Sequence, residues 1–244
     1  MKIHNEDFTL ESYSELIQFA KTKYRFISYS ELHDNERFIL WRHDCDFSLN
    51  RSLRLAQIEH DLDVKTTYFL NPHSEFYNLM ERNQSDIIEQ IIDLGHDIGL
   101  HFDSAYYAIQ SEHDLDIFIE SESSLLGDLF KKEIKAFSFH NPTSFILSCD
   151  AYRYGNLINC YSSWFKENIP YCSDSNGYWR HKRLKDALRE PENLSMQVLT
   201  HPGWWLDTIK QPRDRILRAA NGRRDFVMRS YDECLKKFKR KNIT

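Results

Sequence analysis

Gly95-His96-Asp97-Ile98-Gly99-Leu100-His101-Phe102-Asp103 decides the reading of this chain, together with Arg42-His43-Asp44-Cys45-Asp46. Each stretch closes a short apolar run of strand character. The first opens on a glycine placed where a helix C-terminus needs one. Together they put carboxylates and imidazoles where parallel strands leave a sheet, which is where α/β folds carry their chemistry.

Outward from these two stretches, strand-like and helix-like segments alternate. Leu10, Tyr13, Leu16, Ile17 and Ala20 recur at helical spacing behind Thr9, a capping residue, and predict a helix over 10–22. Phe38–Trp41 is the first apolar strand, ending at His43-Asp44. Ser48 is placed to cap the next helix, with Leu49, Leu53, Ala56 and Leu62 inward. Val64–Leu70 is β-branched and aromatic and reads as a second strand. A helix over 85–94 leads into the third strand at 98–101, and a long amphipathic helix covers 112–131. The fourth strand is 136–140, followed by a helix near 155–167. A fifth strand at 170–174, a brief helix at 182–190 and a sixth strand at 196–201 follow. Pro212 opens a helical region that continues to about 239. Alternation of this kind implies a parallel sheet with right-handed crossovers.

Composition narrows the function classes. A chain of 244 residues, 41% hydrophobic and 14% aromatic, can bury a sizeable core, which excludes wholesale disorder. A net charge of −5 and a pI near 6.1 argue against a duplex nucleic-acid binder. The basic cluster Lys236, Lys237, Lys239, Arg240 and Lys241 reads as a solvated helix end. No stretch approaches the length of a membrane-spanning helix, and Met1–Glu6 has no apolar signal core. Five cysteines, odd in number and without a CxxC pair, fit a reduced cytoplasmic protein better than a disulfide scaffold. No glycine-rich phosphate loop is present, so nucleotide binding has no motif behind it.

The polar residues fall in a pattern. The strand ends carry Asp44-Cys45-Asp46, His101-Phe102-Asp103, His140-Asn141-Pro142, Ser173-Asp174 and His201-Pro202-Gly203-Trp204-Trp205. A lone strand-end histidine is usually structural. Three histidines with several carboxylates, converging at one barrel mouth, point to a metal-centred active site. Carboxylate plus imidazole suits one divalent ion, with zinc the expected one. A second carboxylate can take a proton from water, and an opposed imidazole can protonate a leaving group. Trp179, Trp204 and Trp205 either stack on a sugar face or pack the core.

These motifs resemble those of the polysaccharide deacetylase family (NodB-like, carbohydrate esterase family 4), with this chain as a divergent member. The likeness runs from about residue 37 to 205. It implies a single-domain, irregular (β/α)7-type barrel that removes acyl groups from sugars. Asp44 matches the family's base aspartate, Asp46 its metal aspartate and His101 its first metal histidine. Asp174 with Trp179 is similar to the fourth motif, and Leu199-Thr200-His201 to the fifth, whose histidine is the general acid. Two departures stand out. The second metal histidine is expected four residues after His101, at Ala105, and the motif-three arginine is replaced by His140. Arg42 shares a strand face with Asp44 and is placed to hold it, which frees His140 as a third ligand. Asp103 is the rival ligand.

The resulting expectations are an α/β barrel over 37–206, a helical lead-in over 1–36 and C-terminal helices over 207–244. The expected site has Asp44, His201 and Asp174 in catalysis, with Asp174 orienting His201. Asp46, His101 and His140 hold the metal. Arg42, Trp179, Arg180 and Trp204 contact substrate. The expected activity is removal of an acyl group, an N-acetyl, from an amino sugar or glycan precursor, with a nucleotide- or lipid-linked precursor in surface glycan biosynthesis as the expected substrate. A silent sugar-binding barrel and another metal-dependent amidohydrolase are the alternatives.

Overall fold

The computed structural model describes residues 3–32, 37–190 and 193–243. The expected lead-in boundary at 36 lies outside them. Thr9 caps helix α1 (Leu10–Lys21), its Oγ1 accepting the Ser12 N–H at 3.1 Å. Strand β1 (Arg25–Phe26) follows, then β2 (Phe38–Cys45), α2 (Leu49–Asp61), β3 (Thr67–Leu70), α3 (Arg82–Asp93), β4 (Asp97–Phe102) and α4 (Glu112–Phe130). The second half holds β5 (Ala136–Phe139), α5 (Ser144–Ser148), β6 (Arg153–Tyr154), β7 (Leu157–Asn159), α6 (Ser163–Asn168), β8 (Tyr171–Ser173), α7 (Leu184–Ala187), β9 (Ser195–Thr200) and α8 (Pro212–Lys237).

The strands form one sheet in the order β6-β7-β5-β4-β3-β2-β9-β8, with β1 on the opening residues of β2. Every pairing is parallel except the β6–β7 hairpin. The sheet curls into a half-barrel of the irregular (β/α)7 type. Alternation along β2 sorts its side chains. Ile39 and Trp41 pack outward against α1 and α2, whereas Leu40 joins Phe69, Ala136 and Ile158 inside the curl. Arg42 and Asp44 therefore continue Leu40's inner face toward the strand's C-terminal end. All but the first residue of β2 are buried, as expected for a strand covered on both faces.

Three expectations are corrected. The helix near 155–167 is instead the β6–β7 hairpin followed by the short α6. Gly155 and Asn156 both take positive φ, 52° and 64°, the backbone of a tight two-residue turn that joins Tyr154 to Leu157. Ser48 stands at the start of α2 but its side chain caps nothing. The C-terminal segment is one helix, α8, which buries Arg215 and Ala219 and exposes most of its remaining length.

Candidate active site

The C-terminal strand ends converge. Asp46, just past β2, His101 in β4 and His140, just past β5, each offer a ligand atom, and these atoms lie within 4.8 Å of one another. His101 Nε2 is 3.1 Å from Asp46 Oδ1 and 3.1 Å from His140 Nδ1, which is itself 3.5 Å from the same carboxylate oxygen. Asp46 Oδ1 is buried and has no hydrogen-bond partner among the described residues. Burial would raise its carboxyl, but the three surrounding histidines outweigh burial and hold it far below the usual carboxylate range. His140 is raised by the same pairing, against the burial that lowers it. Three atoms of carboxylate and imidazole type, close together and turned toward a shared point, are what a divalent cation needs.

Two arms flank this cluster. On one, Ser138 sits two residues before His140 on the same face of β5. Its hydroxyl donates to Asp44 Oδ1 at 3.1 Å and is reached by His101 Nδ1 at 2.7 Å. This places a proton on His101 Nδ1, so that Nε2, 3.1 Å from Asp46, is the nitrogen that can ligate a cation. Asp44 is buried, with Oδ2 3.7 Å from His101 Nδ1 and 3.9 Å from the Arg42 guanidinium. Arg42 thus neighbours Asp44 without hydrogen-bonding it.

On the other arm Asp174 is fully buried after β8. It accepts the His201 Nδ1–H at 2.6 Å, the His201 backbone N–H at 3.0 Å and the Trp205 Nε1–H at 2.9 Å. His201 Nε2 then faces Asp46 Oδ2 at 3.8 Å. Burial lowers the His201 imidazole, but the charges of Asp174 and Asp46 win and push it up to about 9. The arm favours the protonated form of the His201 imidazole beside the cluster.

Other candidates fall elsewhere. Trp179 is turned inward, stacked on Phe8 at 5.2 Å and donating Nε1–H to Asp7 at 2.9 Å, so its face is not available to a sugar. Trp205 is buried beneath Asp174, and Trp204 is only 7% exposed and packs on Phe47. Both belong to the core, because the His201-Pro202 turn folds back over α2 rather than outward. Arg180 is exposed and makes no hydrogen bond or ion pair among the described residues. Asp103 binds the Ala105 N–H at 3.0 Å and stands apart from the ligand cluster.

Sequence reading missed three features. Ser138 was detectable from its two-residue spacing to His140. Asn141 has φ 42°, a left-handed backbone that asparagine tolerates, and its amide reaches His140 Nε2 at 2.9 Å. Glu59, on the inner face of α2, gathers His43, Thr66, Tyr68 and Tyr13 around one buried carboxylate. His43 therefore faces away from the candidate site, as alternation along β2 demands.

No family model matches the chain, and no curated protein matches it. Solved structures similar to it include a family 4 carbohydrate esterase from Bacillus anthracis, 15% identical over 94% of each chain, with a TM-score of 0.46. Another is the Xyl-CE4 domain of a multidomain xylanase from the hindgut metagenome of Trinervitermes trinervoides. It is 15% identical over 84% of this chain and 92% of that one, with a TM-score of 0.46. A third is a CE4 family pseudoenzyme from Bacillus anthracis, 12% identical over 79% of this chain, with a TM-score of 0.43. The chain spans less than two thirds of that pseudoenzyme, 62% of its length, and 64% of a mutant with restored activity.

Proposed function

We propose that this chain is a metal-dependent hydrolase that removes an acyl group, an N-acetyl, from an amino sugar. One observation carries the reading. The Asp46–His101–His140 cluster has a buried carboxylate, Asp44, on one side and a carboxylate-held imidazole, His201, on the other. The donor set suits zinc, and the unpartnered Asp46 Oδ1 is the atom such an ion would satisfy. When bound, the ion supplies Lewis-acid polarisation of the acyl carbonyl and acidifies water.

The chain's own groups do the rest. Asp44 takes the proton of the attacking water, and the Ser138 hydroxyl holds its other oxygen in place. Arg42 offsets the Asp44 charge from 3.9 Å. His201 gives its Nε2 proton to the departing amine, while Asp174 keeps Nδ1 protonated and the ring oriented. Ligation through His140 Nδ1 puts that ring's proton on Nε2, and the Asn141 amide, whose nitrogen stands 2.9 Å from Nε2, receives it once flipped to present its oxygen.

For the substrate we propose an N-acylated sugar of a nucleotide- or lipid-linked glycan precursor in the cytoplasm. The five cysteines are free, in keeping with a reducing compartment. Among the described residues no helix is long and apolar enough to cross a membrane. With Trp179 and Trp205 turned inward, Tyr106, 63% exposed and stacked on His73 at 3.6 Å, is the aromatic surface after β4 available to a sugar ring. The test is acetate release from a panel of N-acetylated sugars, with zinc added and after chelation. Zinc-dependent release that is lost in Asp44→Asn and His201→Ala supports the reading. Sugar binding without release in metal-loaded protein would favour a silent sugar-binding barrel.

A further inference from the structure

Among the described residues the half-barrel does not close: the β6–β7 hairpin forms one edge of the sheet and β8 the other. Residues 160–170, including α6, span the seam, and a cavity of about 530 Å³ lies there. Arg42 and Gln197 border it from the sheet, with Tyr161, Phe165, Ile169 and Tyr171 around them.

Arg42 is wholly buried, and none of its guanidinium nitrogens has a hydrogen-bond partner among the described residues. Asp44 stands 3.9 Å away, beyond hydrogen-bonding reach, and its Oδ1 already accepts from Ser138. The rings of Tyr161 and Phe69 lie 5.0 and 5.6 Å from the guanidinium carbon. Contacts with ring faces balance charge but leave the N–H donors open. The Gln197 amide oxygen accepts the Tyr29 hydroxyl at 2.9 Å and makes no bond to Arg42. The Tyr161 and Tyr171 hydroxyls stand beside the guanidinium but complete no hydrogen bond to it.

A buried guanidinium with open donors is strongly unfavourable unless something fills the fork. Its planar pair of N–H groups matches the two oxygens of a carboxylate. We propose that this seam cavity binds a carboxylate, seated on Arg42 with the Tyr161 and Tyr171 hydroxyls beside it. The cavity lies one layer below the Asp46 cluster on β2, and the inference does not depend on hydrolysis there. The carboxylate comes either from a substituent of a sugar or from a small free acid.

Chelator-treated full-length protein titrated calorimetrically with acetate, lactate and glucuronate, against chloride at equal ionic strength, tests this. No turnover and no metal-bound carboxylate enters the signal, so a negative result leaves the hydrolase reading standing. Binding of one carboxylate per chain is expected, weakened about tenfold or more in Arg42→Lys, the scale of one lost charge-assisted hydrogen bond. Tyr171 is half exposed at the rim, so Tyr171→Phe leaves the fold intact and serves if Arg42→Lys does not fold; it too is expected to weaken binding. Tighter binding of glucuronate assigns the site to a sugar substituent, and tighter binding of acetate or lactate to a free acid. Carboxylates that bind no better than chloride, or equally well to Tyr171→Phe, overturn the proposal.

Discussion

Replacing Glu59 with glutamine should destabilise the protein by about 3 kcal/mol at neutral pH, and the loss should depend on acidity. Glu59 is fully buried. One of its oxygens takes His43 Nε2–H at 2.7 Å and the Tyr13 hydroxyl. The other takes Thr66 at 2.8 Å and Tyr68 at 2.7 Å. Burial raises the carboxyl, but His43, its hydrogen bond and His96 outweigh it and bring Glu59 down to about 2 from an ordinary 4.5. At about 1.4 kcal/mol per pH unit, this corresponds to about 3 kcal/mol of folding free energy. The folded state holds the proton less well than the unfolded chain. The contribution is therefore complete above pH 4.5 and fades as pH falls toward 2. Glutamine keeps the shape but turns an NH₂ group toward donors that need an acceptor. Urea unfolding followed by tryptophan fluorescence measures both proteins. The gap between them should be wide at pH 7 and shrink as pH falls below 4.5. A gap under about 1 kcal/mol at pH 7, or one that does not narrow in acid, would refute the account of this network.

Three further outcomes bear on the candidate site. Asp174→Asn should lower kcat by about 10²-fold or more with KM nearly unchanged, because the residue holds the His201 ring rather than the sugar; equal turnover would count against the pairing. Ser138→Ala removes the partner of His101 Nδ1, and competition with a chelator should show metal affinity about 10–100-fold weaker. Asp103→Asn, by contrast, should leave the metal-to-protein ratio unchanged, since Asp103 spends its oxygen on the Ala105 N–H; a lost ion would restore it as the third ligand.

How much of this was legible before the fold was known depends on the range of the signal. The strands ending in Asp44, His101 and His201 are apolar runs with polar termini, and that pattern is local. Alternation along β2 correctly separated His43 from Asp44, because side-chain direction within a strand depends only on its own period. Strand β1, two residues long, offers no period to detect. Gly155-Asn156 carried a hairpin signal that the surrounding apolar residues, Leu157 and Ile158, masked by also fitting a helix. The tryptophans were the least legible. Whether Trp179 faces solvent depends on Phe8 and Asp7, some 170 positions earlier in the chain, and no local pattern reports that contact. Ser138 lay within reach, since its spacing to His140 puts both on one face. Glu59 did too, as a carboxylate in register with Leu55 and Ala56 on a buried helix face.

The central claim is that Asp46, His101 and His140 hold one divalent cation. Elemental analysis of the purified chain, paired with an anomalous-scattering map at the zinc edge, tests it most directly. The account predicts one ion per chain in contact with those three side chains, lost on His140→Ala. A chain that retains no ion from zinc-containing buffer, or one whose ion sits on other residues, would contradict it.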